Sequence, residues 1–205
     1  MEIALEDVGR RFNQDWIFKG INYRFVQGGS YAILGPNGSG KSTFLQLLTG
    51  NLSCSKGHIF YQEKGKPVDI DRFFNYFSLA APYMELIEEF TLAEMIDFHF
   101  SFKPIREGLK TTDVLGILGL TSAQDRYLRY FSSGMKQRTK LVLACCANVP
   151  VLFLDEPTAN LDEEGISWYL DLIRQYAADK LVVVCSNQAH EYPFCTHQIR
   201  IMDYK

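Results

Sequence analysis

The chain has 205 residues, 47% of them hydrophobic and 22% charged, with a formal net charge of −3. That length suits one globular domain with a sizeable core, or one domain carrying a subdomain, and the charge balance lacks the basic face that nucleic acid requires, so no nucleic-acid partner is expected. No stretch approaches the roughly 20 apolar residues that cross a bilayer, so a membrane role would rest on spans supplied by another chain.

The first residues, Met1 to Glu6, show no basic region followed by an apolar run, and no secretory signal is expected. Ile3–Val8 and Ile21–Val26 alternate in part and predict strands. Gly28 and Gly29 turn the chain into Ser30–Leu34, a short apolar run of the kind found in buried parallel strands. A glycine-rich loop follows, then a predicted helix over Ser42–Leu48 that stops near Gly50. His58–Tyr61 predicts another strand, with a turn at Gly65–Pro67. From about 82 to about 148 the texture is mainly helical. Thr91 and Glu94 have the spacing of a capping box, Thr121 and Gln124 offer a second, and Val114–Leu120 is a short apolar helix. Val151–Leu154 and Leu181–Val184 are again buried strands, with a helix over Ile166–Ala178 between them. Strand–loop–helix units at both ends of a helical insertion predict an α/β core plus a subdomain. Cys54, Cys145, Cys146, Cys185 and Cys195 form no Cys-x-x-Cys pair and are expected to be free thiols.

Two segments carry chemistry. Gly35, Pro36, Asn37, Gly38, Ser39, Gly40, Lys41 and Ser42 fit G-x-x-x-x-G-K-[ST], placed between a buried strand and a helix. Phosphate oxygens can meet backbone N–H groups only where side chains are out of the way, hence the glycines, and the helix N-terminus adds partial positive charge. Lys41 is expected to reach the β- and γ-phosphates of ATP, and the Ser42 hydroxyl to bind Mg²⁺, with Thr43 beside it. The second segment is Asp155-Glu156, at the end of a buried strand, where open α/β sheets place ligands. Alone, the two would read as solvated acids. Beside a phosphate cradle, Asp155 is expected to serve the metal shell, and Glu156 to act as general base or to position the attacking water.

With these motifs the sequence resembles the nucleotide-binding subunits of ATP-binding cassette transporters over essentially its full length. The resemblance implies an α/β fold with a P-loop NTPase core, a mostly parallel sheet with flanking helices. It adds an N-terminal antiparallel β-subdomain and a helical subdomain inserted at about 82–148, in one cassette over 1–205. The family's Leu-Ser-Gly-Gly-Gln signature is matched by Phe131-Ser-Ser-Gly-Met135, with Ser132 and Gly134 kept. By resemblance, these two touch ATP held by a second nucleotide-binding subunit, most simply in a homodimer. Asp162, in Ala159-Asn-Leu-Asp162, matches the loop that links the paired sites. Phe12 falls where the family stacks an aromatic on adenine, with Trp16 as the alternative. Two departures stand out. Ala80 or Ala81 occupies the place of the family's Gln near Mg²⁺, and Asn187 that of its His, with His190 as the other possibility.

These features imply an ATP-hydrolysing subunit that powers a membrane transporter by ATP-driven dimerisation. It would sit on the cytoplasmic face through a transmembrane permease subunit, with the aromatic-rich Phe98–Pro104 stretch as the docking region. A soluble ATPase of the same family and a weakly hydrolysing, nucleotide-dependent regulator are the alternatives.

Overall fold

The alternating N-terminal residues form a long hairpin, β1 (Glu2–Phe12) and β2 (Asp15–Val26), in a computed structural model that describes residues 1–205. β4 (Lys56–Glu63) pairs antiparallel with β1, and β5 (Lys66–Val68) with β4, giving a four-stranded sheet of order β2-β1-β4-β5. The strands outrun their predicted lengths because β1 and β2 pass through irregularities in register rather than stopping at them. Gly57 sits opposite one of these, and a Cβ there would come within 2.3 Å of the Glu6 and Asp7 carbonyl oxygens.

The second sheet is wholly parallel. Its order is β6-β7-β8-β3-β9, formed by β3 (Ser30–Leu34), β6 (Phe77–Ala80), β7 (Val151–Asp155), β8 (Leu181–Ser186) and β9 (His197–Arg200). The apolar runs of β7 and β8 are explained by burial on both faces. Leu152, Leu154, Val182 and Val184 enter one core with α3 (Leu92–Phe102), α4 (Thr111–Leu118), α5 (Ser133–Cys146) and α6 (Glu163–Tyr176). Val151, Phe153, Leu181 and Val183 enter the other, against the antiparallel sheet, α1 (Lys41–Leu48) and α2 (Ile70–Phe73).

Thr91 and Glu94 make the predicted capping box, with Thr91 N–H donating to Glu94 at 2.8 Å and Glu94 N–H to the Thr91 hydroxyl at 3.3 Å. Thr121 caps nothing and begins only a 3₁₀ turn, Thr121–Ala123. The segment after Pro82 is not helical until Leu92. Its carbonyls at Ala81, Pro82 and Met84 are taken by the Lys140 ammonium at 3.1–3.3 Å, so the backbone is satisfied outside a helix. α6 starts three residues before its predicted position because the Asp162 carboxylate accepts from Gly165 N–H at 2.8 Å. All five cysteines are free.

His99 on α3 is half-buried, with its Nε2 atom enclosed and unpartnered. Burial, then the Lys103 ammonium, push its pKa down to about 4, against an opposing backbone hydrogen bond at Leu143. A histidine with a folded pKa below its unfolded value leaves the native state with fewer bound protons than the unfolded chain. Its contribution is therefore complete above about pH 6.5 and is lost by up to about 1.4 kcal/mol per pH unit toward pH 4. Urea titrations at pH 7 and pH 5 should show a smaller pH difference for His99→Gln than for the wild type; equal differences would contradict this.

Candidate functional site

Three polar segments leave the parallel sheet side by side. β7, β8 and β3 are neighbours, Asp155 lies opposite Cys185, and Ser186 opposite Leu34. Because the strands are parallel, the loop after β3, the acid pair ending β7 and Ser186-Asn187 ending β8 emerge at one edge.

In the loop after β3, Gly38 and Gly40 adopt φ of 77° and 107°, a region that strains other residues. Gly40 is also pinned by space, since a Cβ would meet Ile17 Cγ2 at 2.5 Å. Lys41 is buried, and its ammonium donates to the Gly35 and Pro36 carbonyls at 2.9 and 3.3 Å. The concavity formed here, about 220 Å³, is lined by Asn37, Gly38, Gly40, Lys41, Ser42 and Thr43, joined by Ile17 and Glu156. Gly35, Pro36 and Ser39 build the loop from behind, with Ser39 N–H donating to Pro36 O at 3.1 Å.

Asp155 is buried and Glu156 only partly so. Burial raises the Asp155 pKa. A hydrogen bond with the Ser42 hydroxyl opposes the rise, Glu156 adds to it, Lys41 lowers it and Glu191 raises it slightly. The Asp155 Oδ1 atom has no hydrogen-bond partner. A buried carboxylate oxygen left open beside a serine hydroxyl fits a divalent cation. Glu156 sits at φ 42°, a left-handed conformation that costs on the order of 1 kcal/mol or more. The turn is held by Glu156 N–H donating to Cys185 O at 2.9 Å; Glu156 lines the concavity, whereas Asp155 is buried and does not.

Asn187 reaches the loop, its Nδ2 donating to Asn37 Oδ1 at 3.0 Å. His190 does not line this concavity; it lies on a 3₁₀ turn with Nε2 3.0 Å from the Thr158 hydroxyl. Ala80 and Ala81 are fully buried and bring no polar side chain. The next side chain able to is Tyr83, whose phenol is pushed up to about 12 by burial and then by neighbouring Asp155 and Cys185, against a bond with Gln46. Gln46 lies one turn beyond Ser42 on the same face of α1. Sequence reasoning missed Tyr83, Gln46 and Ile17. The i+4 spacing from Ser42 could have found Gln46.

Ser132 caps α5, its hydroxyl accepting from Met135 N–H at 3.2 Å. Ser132, Gly134, Asn160 and Asp162 line a separate concavity of about 340 Å³ that none of the Gly35–Ser42 loop enters. Gly134 has little room, since a Cβ would approach Asn160 O to 3.0 Å. Phe12 and Trp16 lie near the tip of the β1–β2 hairpin, 46% and 36% exposed, under the guanidinium groups of Arg10 and Arg11 at 4.7 and 5.7 Å. Neither lines the loop concavity; Ile17 is the hairpin residue that does. A third recess of about 410 Å³ opens between the 82–88 segment and α5, beside Lys136 and Lys140.

A family model described as ABC transporter matches residues 18–159. HrtA of Staphylococcus aureus strain Newman, an ATP-binding protein named for hemin import, is 27% identical over all of this chain and 94% of its own. The lantibiotic transport ATP-binding protein SrtF of Streptococcus pyogenes is 26% identical over 90% of this chain and 79% of its own. Among solved structures, a Pyrococcus furiosus chain described as an ABC transporter ATP-binding protein superposes with a TM-score of 0.83 at 19% identity, covering both chains completely. A bacterial ABC transporter cassette solved as a dimer gives 0.80 at 20% identity, over 97% of this chain and 94% of its own.

Proposed function

The chain belongs to the ABC transporter family as an ATP-binding subunit that powers a membrane transporter, and we propose that it does so by hydrolysing Mg-ATP between two copies of itself. The observation that carries this reading is the meeting of Lys41, Ser42 and Glu156 in one concavity, with Asn187 bonded to its rim.

In this reading the backbone N–H groups of the 35–42 loop and the N-terminus of α1 receive the β- and γ-phosphates. Lys41 is poised beside them, its ammonium turning from the carbonyls of Gly35 and Pro36 to phosphate oxygens. Ser42 and Asp155 would hold Mg²⁺, which when bound neutralises charge on the phosphate oxygens. No group of three or more His, Cys, Asp or Glu side chains forms a metal cage, as suits an ion held by one or two protein ligands and the phosphates themselves. Glu156 orients the attacking water and accepts its proton, and Asn187 donates its amide N–H to a γ-phosphate oxygen. Phe12, exposed near the hairpin tip, is the residue that would stack on adenine.

Ser132, Gly134 and Asp162 act in trans. They face a concavity apart from the phosphate loop of their own chain, so a second subunit would bring them onto its ATP, in an isologous pair. The chain is one cassette, with 82–148 as its helical subdomain. That subdomain docks on a permease through Phe98 and Phe102, which are 40% and 73% exposed. No helix is long and apolar enough to cross a membrane; the cytoplasmic membrane face is reached through the permease.

The test is ATP-driven pairing. In a Glu156→Gln background, Mg-ATP should shift sedimentation from one copy to two, and Ser132→Arg should abolish the shift while ATP binding stays. Pairing that survives Ser132→Arg would refute the trans role. Co-purification with a polytopic membrane protein separates the transport reading from a free-standing ATPase.

A further inference from the structure

Glu191 is fully buried, and no salt bridge compensates it. A buried carboxylate without a cation must be satisfied by hydrogen bonds. Here the donors come from two different turns. Thr158 donates both its backbone N–H, at 2.8 Å, and its hydroxyl, at 2.5 Å, to Oε1. The Ser186 hydroxyl donates to Oε2, and the same hydroxyl accepts from Gln188 N–H at 2.8 Å. Glu191 is itself anchored, its carbonyl accepting from the buried Tyr169 hydroxyl at 2.8 Å.

Thr158 is two residues beyond Glu156, and Ser186 is one before Asn187. Thr158 and Ser186 are themselves buried. We propose that Glu191 is a positioning residue that bolts the Glu156 turn to the Asn187 turn, fixing both groups of the hydrolytic edge relative to each other. Its two oxygens divide the work, one for each turn. His190 extends the bolt: because the Thr158 hydroxyl donates to Glu191, the ring nitrogen at 3.0 Å must donate to Thr158. The chain's histidine in this region thus braces the turn from outside instead of facing phosphate. The catalytic consequence rests on the hydrolytic reading given above; the bolt does not.

Hydrogen exchange without nucleotide tests the bolt. Glu191→Ala should raise exchange in both 156–162 and 186–190 and leave the β1–β2 hairpin unchanged. Steady-state kinetics test the consequence. Glu191→Ala should lower kcat by about 10- to 100-fold, as misplacement of a reacting group by about 1 Å does, with ATP affinity held within about twofold. Glu191→Gln should restore most of the activity, because its oxygen still accepts from Thr158 and its amide can donate to Ser186. Exchange unchanged in either segment overturns the proposal, as does an alanine variant with wild-type kcat or a glutamine variant no better than alanine. If Glu191→Ala fails to fold, the Thr158→Val, Ser186→Ala pair removes both hydroxyl arms, and wild-type exchange there would equally overturn it. A wild type without turnover would sink the hydrolytic reading and leave the exchange result standing, so the two failures are distinguishable.

Discussion

Replacing Glu156 by glutamine is expected to lower ATP turnover by about 10²-fold or more while ATP still binds, the loss that follows removal of a positioned base. The substitution keeps the shape of the side chain that lines the loop concavity and removes its capacity to take a proton. The neighbouring groups grade the effect. Asn187→Ala should cost less, since a single neutral donor bonded to Asn37 is lost. Turnover between pH 6 and 8.5 should show no step from position 187, because an amide does not ionise there, whereas a histidine would titrate near pH 6.5. His190→Ala should retain most activity, as its ring meets Thr158 on the far side of the turn. A Glu156→Gln enzyme with wild-type turnover would refute the mechanism. Activity abolished by His190→Ala and untouched by Asn187→Ala would move the phosphate contact to His190.

The second large effect is on binding. Mg-ATP at 100-fold excess over Kd should stabilise the wild type by about 2.7 kcal/mol, a rise in Tm of roughly 5–10 °C for a chain of this length. Lys41→Ala should show no such rise. The quantity to compare is the ATP-dependent shift, not Tm itself, because the alanine also loses buried bonds to Gly35 and Pro36. An undiminished shift would remove Lys41 from the phosphate site.

Much of this architecture was legible in the sequence where local chemistry and pattern agree. Ser30–Leu34 and Val151–Leu154 read as buried strands because both their faces are covered, and Gly38 and Gly40 marked backbone that only glycine enters without strain. The capping box at Thr91 is a local device and was found; the spacing at Thr121 was the same kind of signal without a helix behind it. What escaped depends on long-range meetings. Ile17 reaches the loop through the hairpin, Tyr83 nears Asp155 from beyond the end of another strand, and Lys140 satisfies carbonyls of the 81–84 backbone from a helix 56–59 residues away in sequence. Glu191 drew no notice in the sequence, because its three donors come from the distant Thr158 and the Ser186 turn and leave no local pattern.

The burial of β7 on both faces has a mechanical consequence. Its alternate side chains are gripped by two different cores, Leu152 and Leu154 by the helical one, Val151 and Phe153 by the other. Packed interiors are nearly incompressible and transmit strain instead of absorbing it. The strand therefore acts as a stiff rod clamped between two jaws, with Asp155 and Glu156 at its C-terminal end. A push on the helical layer that displaces Leu152 or Leu154 must either drag the carboxylates with it or slide one jaw past the other.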